Sequence, residues 1–155
     1  MGSALFYHLT RSTPETLLPV LIGKSHQAGW RVELRGPARD RMEHLDQRLW
    51  LGDGFLPHGL AGGPHDARQP VLLTVAPADG TEMQGAANLP SCLLAEHGAG
   101  VRPGDCTALE RTCILFDGNA PDALNRARQQ WRDLTGAGVT ADYWSEASGK
   151  WERRQ

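Results

Sequence analysis

Residues 71–75, with the sequence Val-Leu-Leu-Thr-Val, form an uninterrupted run of aliphatic and β-branched side chains that follows Pro70 and ends at a turn-rich loop. A strand of this composition is apolar on both of its faces. Such strands are typical of a parallel sheet, because helices cover both faces of that kind of sheet. The run therefore predicts a buried strand of an α/β protein.

Other short apolar segments predict the neighbouring strands of this sheet. The stronger segments are residues 4–9, 30–34, 111–116 and 140–144, and residues 92–95 form a weaker candidate. The segments between them include two that are rich in turn-forming residues, and these predict loops: residues 52–70 and 76–85.

Three segments predict helices. Thr13 and Pro14 supply a capping hydroxyl and a first-turn proline to a helix whose leucines recur at helical spacing. Pro19 lies inside this segment and predicts an irregular first turn or a later start. Residues 40–50 are amphipathic, and residues 121–134 form the third helical segment.

Strands that alternate with helices predict parallel pairing through right-handed crossovers. The expected fold class is therefore α/β. We expect a single three-layer α/β/α sandwich with a mostly parallel sheet of about five strands.

The composition restricts the classes of partner. The chain has 155 residues and a formal net charge of -2 at pH 7. A protein that binds several DNA phosphates directly needs an excess of lysine and arginine, so any DNA contact is expected to be indirect, and a local basic patch is the open alternative. Neither a membrane-spanning segment nor a secretory signal is expected. Cys92, Cys106 and Cys113 lack paired spacing, which favours reduced thiols in the cytoplasm.

Motifs for nucleotide binding are weak. Gly23-Lys24-Ser25 resembles the end of a phosphate-binding P-loop, but Leu18 stands where that loop needs a glycine, and the tripeptide lies inside a predicted helix. The glycine fingerprint of dinucleotide-binding proteins is also missing after the first predicted strand.

Motifs for metal binding and catalysis are weak as well. His58 and His65 share one loop with Asp53 and Asp66, but they lack the close pairing that metal ligands usually show. A histidine that holds the loop through hydrogen bonds to the backbone is the preferred interpretation. The sequence thus predicts no catalytic residue, no metal and no cofactor. The alternative is a small nucleotide-binding or phosphotransfer enzyme on a Rossmann-like sheet.

Two groups of residues are better suited to binding another protein. The first is Trp50 with residues 55–58, Phe-Leu-Pro-His, where apolar side chains are concentrated in a loop. Such side chains either pack under the sheet or meet a partner, and both interpretations stay open.

The second group lies on the segment after Pro121. Leu124, Arg128, Trp131 and Arg132 share one helical stripe, in which guanidinium groups could bind a carboxylate and the apolar side chains could hold a hydrophobic residue. A solvated arginine face with Trp131 turned inward is the alternative.

The order of several short motifs resembles one known family. These motifs are Phe6-Tyr7-x-Leu9, Leu45-Asp46-x-x-Leu49-Trp50, Phe55-Leu56-Pro57-His58-Gly59 with Ala61-Gly62, Pro70-Val71-Leu72-Leu73-Thr74, Ala127-Arg128-x-x-Trp131 and a final segment from Gly138 to Tyr143. Together they are similar to the chi subunit family of bacterial DNA polymerase III. We accordingly divide the chain into a chi-like domain, residues 1–144, and a C-terminal extension, residues 145–155, in which Ser148-Gly149 predicts a short hairpin.

The resemblance implies a non-catalytic adaptor of the replicative polymerase in the cytoplasm, associated with the replisome. One implied partner is the psi subunit of the clamp loader, or a helicase that uses the same surface, at Trp50, Phe55, Leu56, Pro57 and His58. The other is the acidic C-terminal tail of single-stranded DNA-binding protein, at Phe116, Leu124, Arg128, Trp131 and Arg132. Leu124 replaces a basic residue common in the family, so the tail contact is expected to be weaker or to use Arg126.

Overall fold

A computed structural model describes residues 3–52, 56–77 and 86–154. Within these residues the chain forms eight strands in one sheet and four α-helices. The elements are β1 (Ser3–Leu9), α1 (Pro14–Gln27), β2 (Val32–Gly36), α2 (Arg39–Leu51), β3 (Gly59–Leu60), β4 (Val71–Val75), β5 (Cys92–Glu96), α3 (Pro103–Ala108), β6 (Arg111–Asp117), α4 (Pro121–Gly136), β7 (Thr140–Ser145) and β8 (Glu152–Arg154), with a 3-10 helix at Asp66–Arg68.

The sheet is mostly parallel, as the sequence predicts. Its strand order is β3-β4-β2-β5-β6-β1-β7-β8, and every neighbouring pair is parallel except the last, β7 with β8. The expected number of about five strands is wrong, because the described residues form eight. β3 and β8 have only two and three residues, which is too short for an apolar pattern to reveal them.

Two apolar clusters cover opposite faces of this sheet. Side chains alternate between the faces along a strand. On β1, Phe6 accordingly belongs to the cluster that contains residues of α3 and α4, whereas Leu9 belongs to the cluster with α1 and α2. Helices on both faces fit the expected three layers.

The first helix starts where its capping residue predicts. Thr13 accepts a hydrogen bond from the Thr16 amide, and the Thr16 hydroxyl accepts one from the Thr13 amide. The later start that Pro19 suggested is wrong, because α1 begins at Pro14 and contains Pro19. The P-loop-like tripeptide is therefore helical, with the Ser25 hydroxyl donating to the Leu21 carbonyl.

A buried ion cluster joins β2 to α3, a short helix that the sequence did not predict. The Arg35 guanidinium donates to both carboxylate oxygens of Glu33, to Asp105 and to the Gly100 carbonyl, at 2.8–3.1 Å. Arg35 and Glu33 are each only 4% exposed. Burial opposes the charge of Arg35, but the hydrogen bonds and charges of Asp105 and Glu33 outweigh it and raise the pKa of Arg35.

The C-terminal extension packs against the start of the chain. Ser145 is the last residue of β7, and Glu146, which follows it in the turn to β8, is buried. One Glu146 oxygen accepts hydrogen bonds from the amides of Arg11 and Ser12, at 3.1 and 2.6 Å. The ring of Trp151 meets Tyr7, the strand neighbour of Trp144, edge-on at 5.4 Å. The extension therefore contributes to the packing of the domain.

Candidate protein-binding sites

A cavity of about 310 Å³ lies between α4 and the sheet, and we call it the α4 groove. All five residues that the resemblance assigned to the tail of single-stranded DNA-binding protein line it: Phe116, Leu124, Arg128, Trp131 and Arg132. The remaining lining residues are Phe6, His8, Ala127 and Tyr143. The structure thus brings the helical stripe and the end of β6 together around one space.

The spacing along α4 explains which side chains reach the groove. Leu124, Ala127, Arg128 and Trp131 recur at three- and four-residue intervals, so they share one face of the helix. Ala127 is buried against the sheet, whereas Arg128 and Arg132 are exposed. Trp131 is half-buried and packs on Phe6 with a ring-centroid separation of 5.2 Å. Its indole is therefore both a core contact and part of the groove wall.

Apart from Phe116 on β6, sequence reasoning missed the sheet side of the groove. Phe6 and His8 are two positions apart on β1, and strand pairing places them beside Tyr143 of β7 and Phe116 of β6 respectively. His8 stacks on Phe116 at 5.3 Å and shares a 2.7 Å hydrogen bond between its Nδ1 and the Tyr143 hydroxyl. The two-residue spacing on β1 indicates from the sequence that Phe6 and His8 share one face of the strand. Only the packing of α4 against that face shows that both residues line the groove.

The groove has a basic rim and an aromatic floor. Burial raises the pKa of Tyr143, and the positive charges of Arg128 and Arg154 oppose that rise. Both guanidinium groups therefore act on the same hydroxyl. Arg132 donates a 2.9 Å hydrogen bond to Gln129, whereas Arg128 makes no hydrogen bond or ion pair with any described residue. Such a site can hold a carboxylate at Arg128 and an apolar side chain below it.

Arg126 lies away from the α4 groove. Its guanidinium donates to the Gly98 carbonyl at 3.4 Å, and it lines a different cavity. Arg126 and Arg128 are two positions apart on α4, which turns their side chains in different directions. The structure therefore does not support the use of Arg126 in place of the basic residue that Leu124 replaces.

The second predicted site surrounds the end of α2, and we call Trp50, Leu51, Leu56, Pro57 and His58 the α2-end surface. Trp50 is 50% exposed and Leu51 is 78% exposed. Leu56 and Pro57 are half-buried, and His58 is buried under Trp50, with the two ring centroids 4.1 Å apart. Phe55, which was assigned to the same site, lies outside the described residues.

His58 fastens this loop to α2. Its Nδ1 lies 2.8 Å from the Leu56 carbonyl oxygen, and its Nε2 lies 3.0 Å from the Asp46 carbonyl oxygen and 3.1 Å from the Asp46 carboxylate. Both ring nitrogens are thus engaged by protein oxygens. Among the described residues, which leave out Asp53, no cluster of three or more histidine, cysteine or carboxylate side chains could hold a metal ion.

A larger cavity, of about 650 Å³, lies at the carboxyl ends of β1 and β6. Parallel α/β sheets often bind nucleotides in such a place. Here the amides of Arg11 and Ser12, which follow β1, already donate to Glu146. The carboxylates of Asp117 and Asp122 also line the cavity. These two amides are therefore not available to a nucleotide phosphate, and the carboxylates would repel one, whereas Arg11 and Arg126 line the same cavity and would attract it.

Across the described residues, every helix is too short or too polar to cross a lipid bilayer.

Comparison with known proteins places the chain in a family. No curated protein sequence matches it. The family model for "DNA polymerase III chi subunit, HolC" matches residues 1–142, which is most of the 155-residue chain. The matched range includes every residue of the two predicted sites. This match covers well over half of the chain and leads to one conclusion: the chain belongs to the DNA polymerase III chi subunit family.

Proposed function

We propose that this protein is a non-catalytic adaptor of the bacterial replicative DNA polymerase III holoenzyme. It links the clamp-loader complex, through psi or a substitute such as a helicase, to the C-terminal tail of single-stranded DNA-binding protein. The family match supports a role as a polymerase subunit. The observation that carries the tail contact is the convergence of Phe116, Leu124, Arg128, Trp131 and Arg132 on one groove.

The chemistry of the α4 groove suits the end of an acidic peptide. Arg128 is exposed and has no partner among the described residues, so its fork of donors is free to bind a terminal carboxylate. Phe116 and Leu124 form an apolar wall below it, and a cavity of about 310 Å³ accommodates one large side chain. An aromatic last residue with a free carboxylate meets both requirements at once.

Titration calorimetry with an acidic peptide that ends in an aromatic residue tests the tail contact. We expect a dissociation constant on the order of micromolar, because the site is small. Arg128→Ala removes a charge-assisted hydrogen bond and should weaken binding by about 1.5–3 kcal/mol. Amidation of the peptide's C-terminus should cause a similar loss, because it removes the carboxylate that Arg128 binds.

Arg126→Ala is the matched control, since it removes the same charge from the same helix outside the groove. It should leave peptide binding near the wild-type value. Equal binding by wild type and Arg128→Ala would refute the tail contact.

The α2-end surface is the proposed contact for psi or its substitute. Half of the Trp50 side chain and most of the Leu51 side chain are exposed at the end of one helix, and a partner would remove this apolar surface from water. His58 is buried beneath and holds the loop against Asp46, so the surface is already formed in the free protein. A preformed aromatic anchor is typical of residues that contribute strongly to protein–protein binding.

A further inference from the structure

A second cavity continues the α4 groove towards the C-terminal hairpin. Its volume is about 480 Å³, and His8, Trp131 and Tyr143 line it together with Ser145, Ala147 and Arg154. The first three residues also line the α4 groove, so the two spaces meet at the Trp131–Tyr143 pair, whose rings lie 6.3 Å apart. Ser145, Ala147 and Arg154 lie outside the range of the family match.

Strand pairing places Arg154 on the groove side of the hairpin. In the antiparallel ladder of β7 and β8, Tyr143 stands opposite Arg154 and Trp144 stands opposite Arg153. Directly opposed residues point to the same face of a sheet, and successive residues point to opposite faces. Arg154 therefore shares the face of Tyr143, whereas Arg153 points away and pairs with Asp142 at 2.7 Å.

Arg154 is positioned to attract an acidic ligand. Its side chain is 50% exposed, and its guanidinium makes a loose 3.6 Å ion pair with Glu152, whose side chain is 39% exposed. A pair of this kind contributes little stability in water, so a ligand can replace it at small cost. Together with Arg128 and Arg132, Arg154 surrounds the aromatic residues of both cavities with positive charge.

We propose that the C-terminal hairpin extends the peptide-binding groove and that Arg154 binds an acidic residue a few positions before the end of the peptide. This inference rests on the proposed function, because it assumes that the last residue occupies the α4 groove. An extended peptide advances about 3.3–3.6 Å per residue, so the residues before the last one can cross Tyr143 and reach the second cavity. The occupant is an acidic peptide segment.

Two peptides separate the roles of the two cavities. Both end in the same aromatic residue with a free carboxylate, but one carries aspartates upstream and the other carries asparagines at the same positions. Their binding to wild type, Arg154→Ala and Arg153→Ala is measured by calorimetry at low salt. Arg153→Ala is the matched control, because it removes the same charge from the opposite face of the same strand. Circular dichroism verifies that each variant is folded.

Arg154→Ala should weaken binding of the aspartate peptide by roughly twofold to fivefold, the upper part of the range for one partly exposed ion pair, and should leave binding of the asparagine peptide unchanged. Arg153→Ala should change the affinity for neither peptide. Glu152→Gln should strengthen binding of the aspartate peptide, because it removes the carboxylate that competes for Arg154.

Equal binding of the aspartate peptide by wild type and Arg154→Ala would overturn the inference, as would an equal loss for both peptides. Arg128→Ala distinguishes this failure from failure of the proposed function. If Arg128→Ala still weakens binding of both peptides while Arg154→Ala weakens binding of neither, the tail contact stands and the hairpin has no part in it. If Arg128→Ala changes the binding of neither peptide, the proposed tail contact fails, and the inference fails with it.

Discussion

Glu146→Ala tests whether the C-terminal extension is part of the folded domain. Glu146 is 4% exposed and follows the last residue of β7. Its Oε1 accepts hydrogen bonds from the amides of Arg11 and Ser12, in the connection between β1 and α1. The substitution removes both hydrogen bonds and leaves the amides of Arg11 and Ser12, which line the 650 Å³ cavity, without their carboxylate acceptor.

The expected loss in free energy of unfolding follows from these contacts. A hydrogen bond to a charged group contributes about 1.5–3 kcal/mol, so two of them give an upper bound of about 3–6 kcal/mol. Two effects reduce that loss. The Oε2 of Glu146 is buried without a hydrogen-bond partner among the described residues, and the substitution relieves that cost. Arg11 and Ser12 line the 650 Å³ cavity, so water can reach the freed amides. We therefore expect a loss of about 2–3 kcal/mol.

Urea unfolding and thermal melting measure this loss. The expected free-energy change corresponds to a decrease in Tm of about 5–10 °C for a domain of this size. Glu146→Gln keeps a carbonyl oxygen as acceptor and should lose less than Glu146→Ala. A loss below about 0.5 kcal/mol for Glu146→Ala, within the range of ordinary surface substitutions, would refute the view that Glu146 fastens the extension to the domain.

Three further predictions concern stability, partner capture and the alternative function. Arg35→Met should destabilise the protein by about 3–5 kcal/mol in urea unfolding, because it leaves the buried Glu33 without its counter-charge; a loss below about 1 kcal/mol would contradict this. Trp50→Ala should abolish capture of psi or its substitute and lower Tm less than truncation of a fully buried tryptophan would, since the indole is half exposed but packs on His58; retained capture would exclude Trp50 as an anchor. Added ATP should not shift Tm, whereas a ligand at a hundred times its Kd would stabilise by roughly 2.7 kcal/mol and favour the nucleotide-binding alternative.

Local patterns predicted most of the elements because each pattern has a physical cause within a few residues. The capping hydroxyl of Thr13 and the ring of Pro14 are compatible with the start of a helix, and α1 begins there. The run at residues 71–75 forms β4 with the same bounds. By contrast, α3 has six residues and buries only Cys106, so no helical apolar pattern could reveal it.

The α4 groove was only half visible in the sequence. Leu124, Arg128, Trp131 and Arg132 lie on one helix face, and helical periodicity alone brings them together. Phe6 and Tyr143 are far apart along the chain and become neighbours only because β1 pairs with β7. The contribution of Arg154 depends in addition on the register between β7 and β8. A shift of one residue would turn the Arg154 side chain to the opposite face of the sheet, away from the groove.

The sequence by itself determined the fold class, the limits of most helices and strands, and the helical stripe at the centre of the candidate site. These properties depend on side-chain periodicity and on capping, which act over a few residues. Only the tertiary structure decided the strand order, the aromatic floor supplied by β1 and β7, and the place of the C-terminal hairpin beside the groove. Contacts between distant segments depend on which strands pair and in which register, and short strands such as β3 and β8 carry too few residues to encode that choice locally.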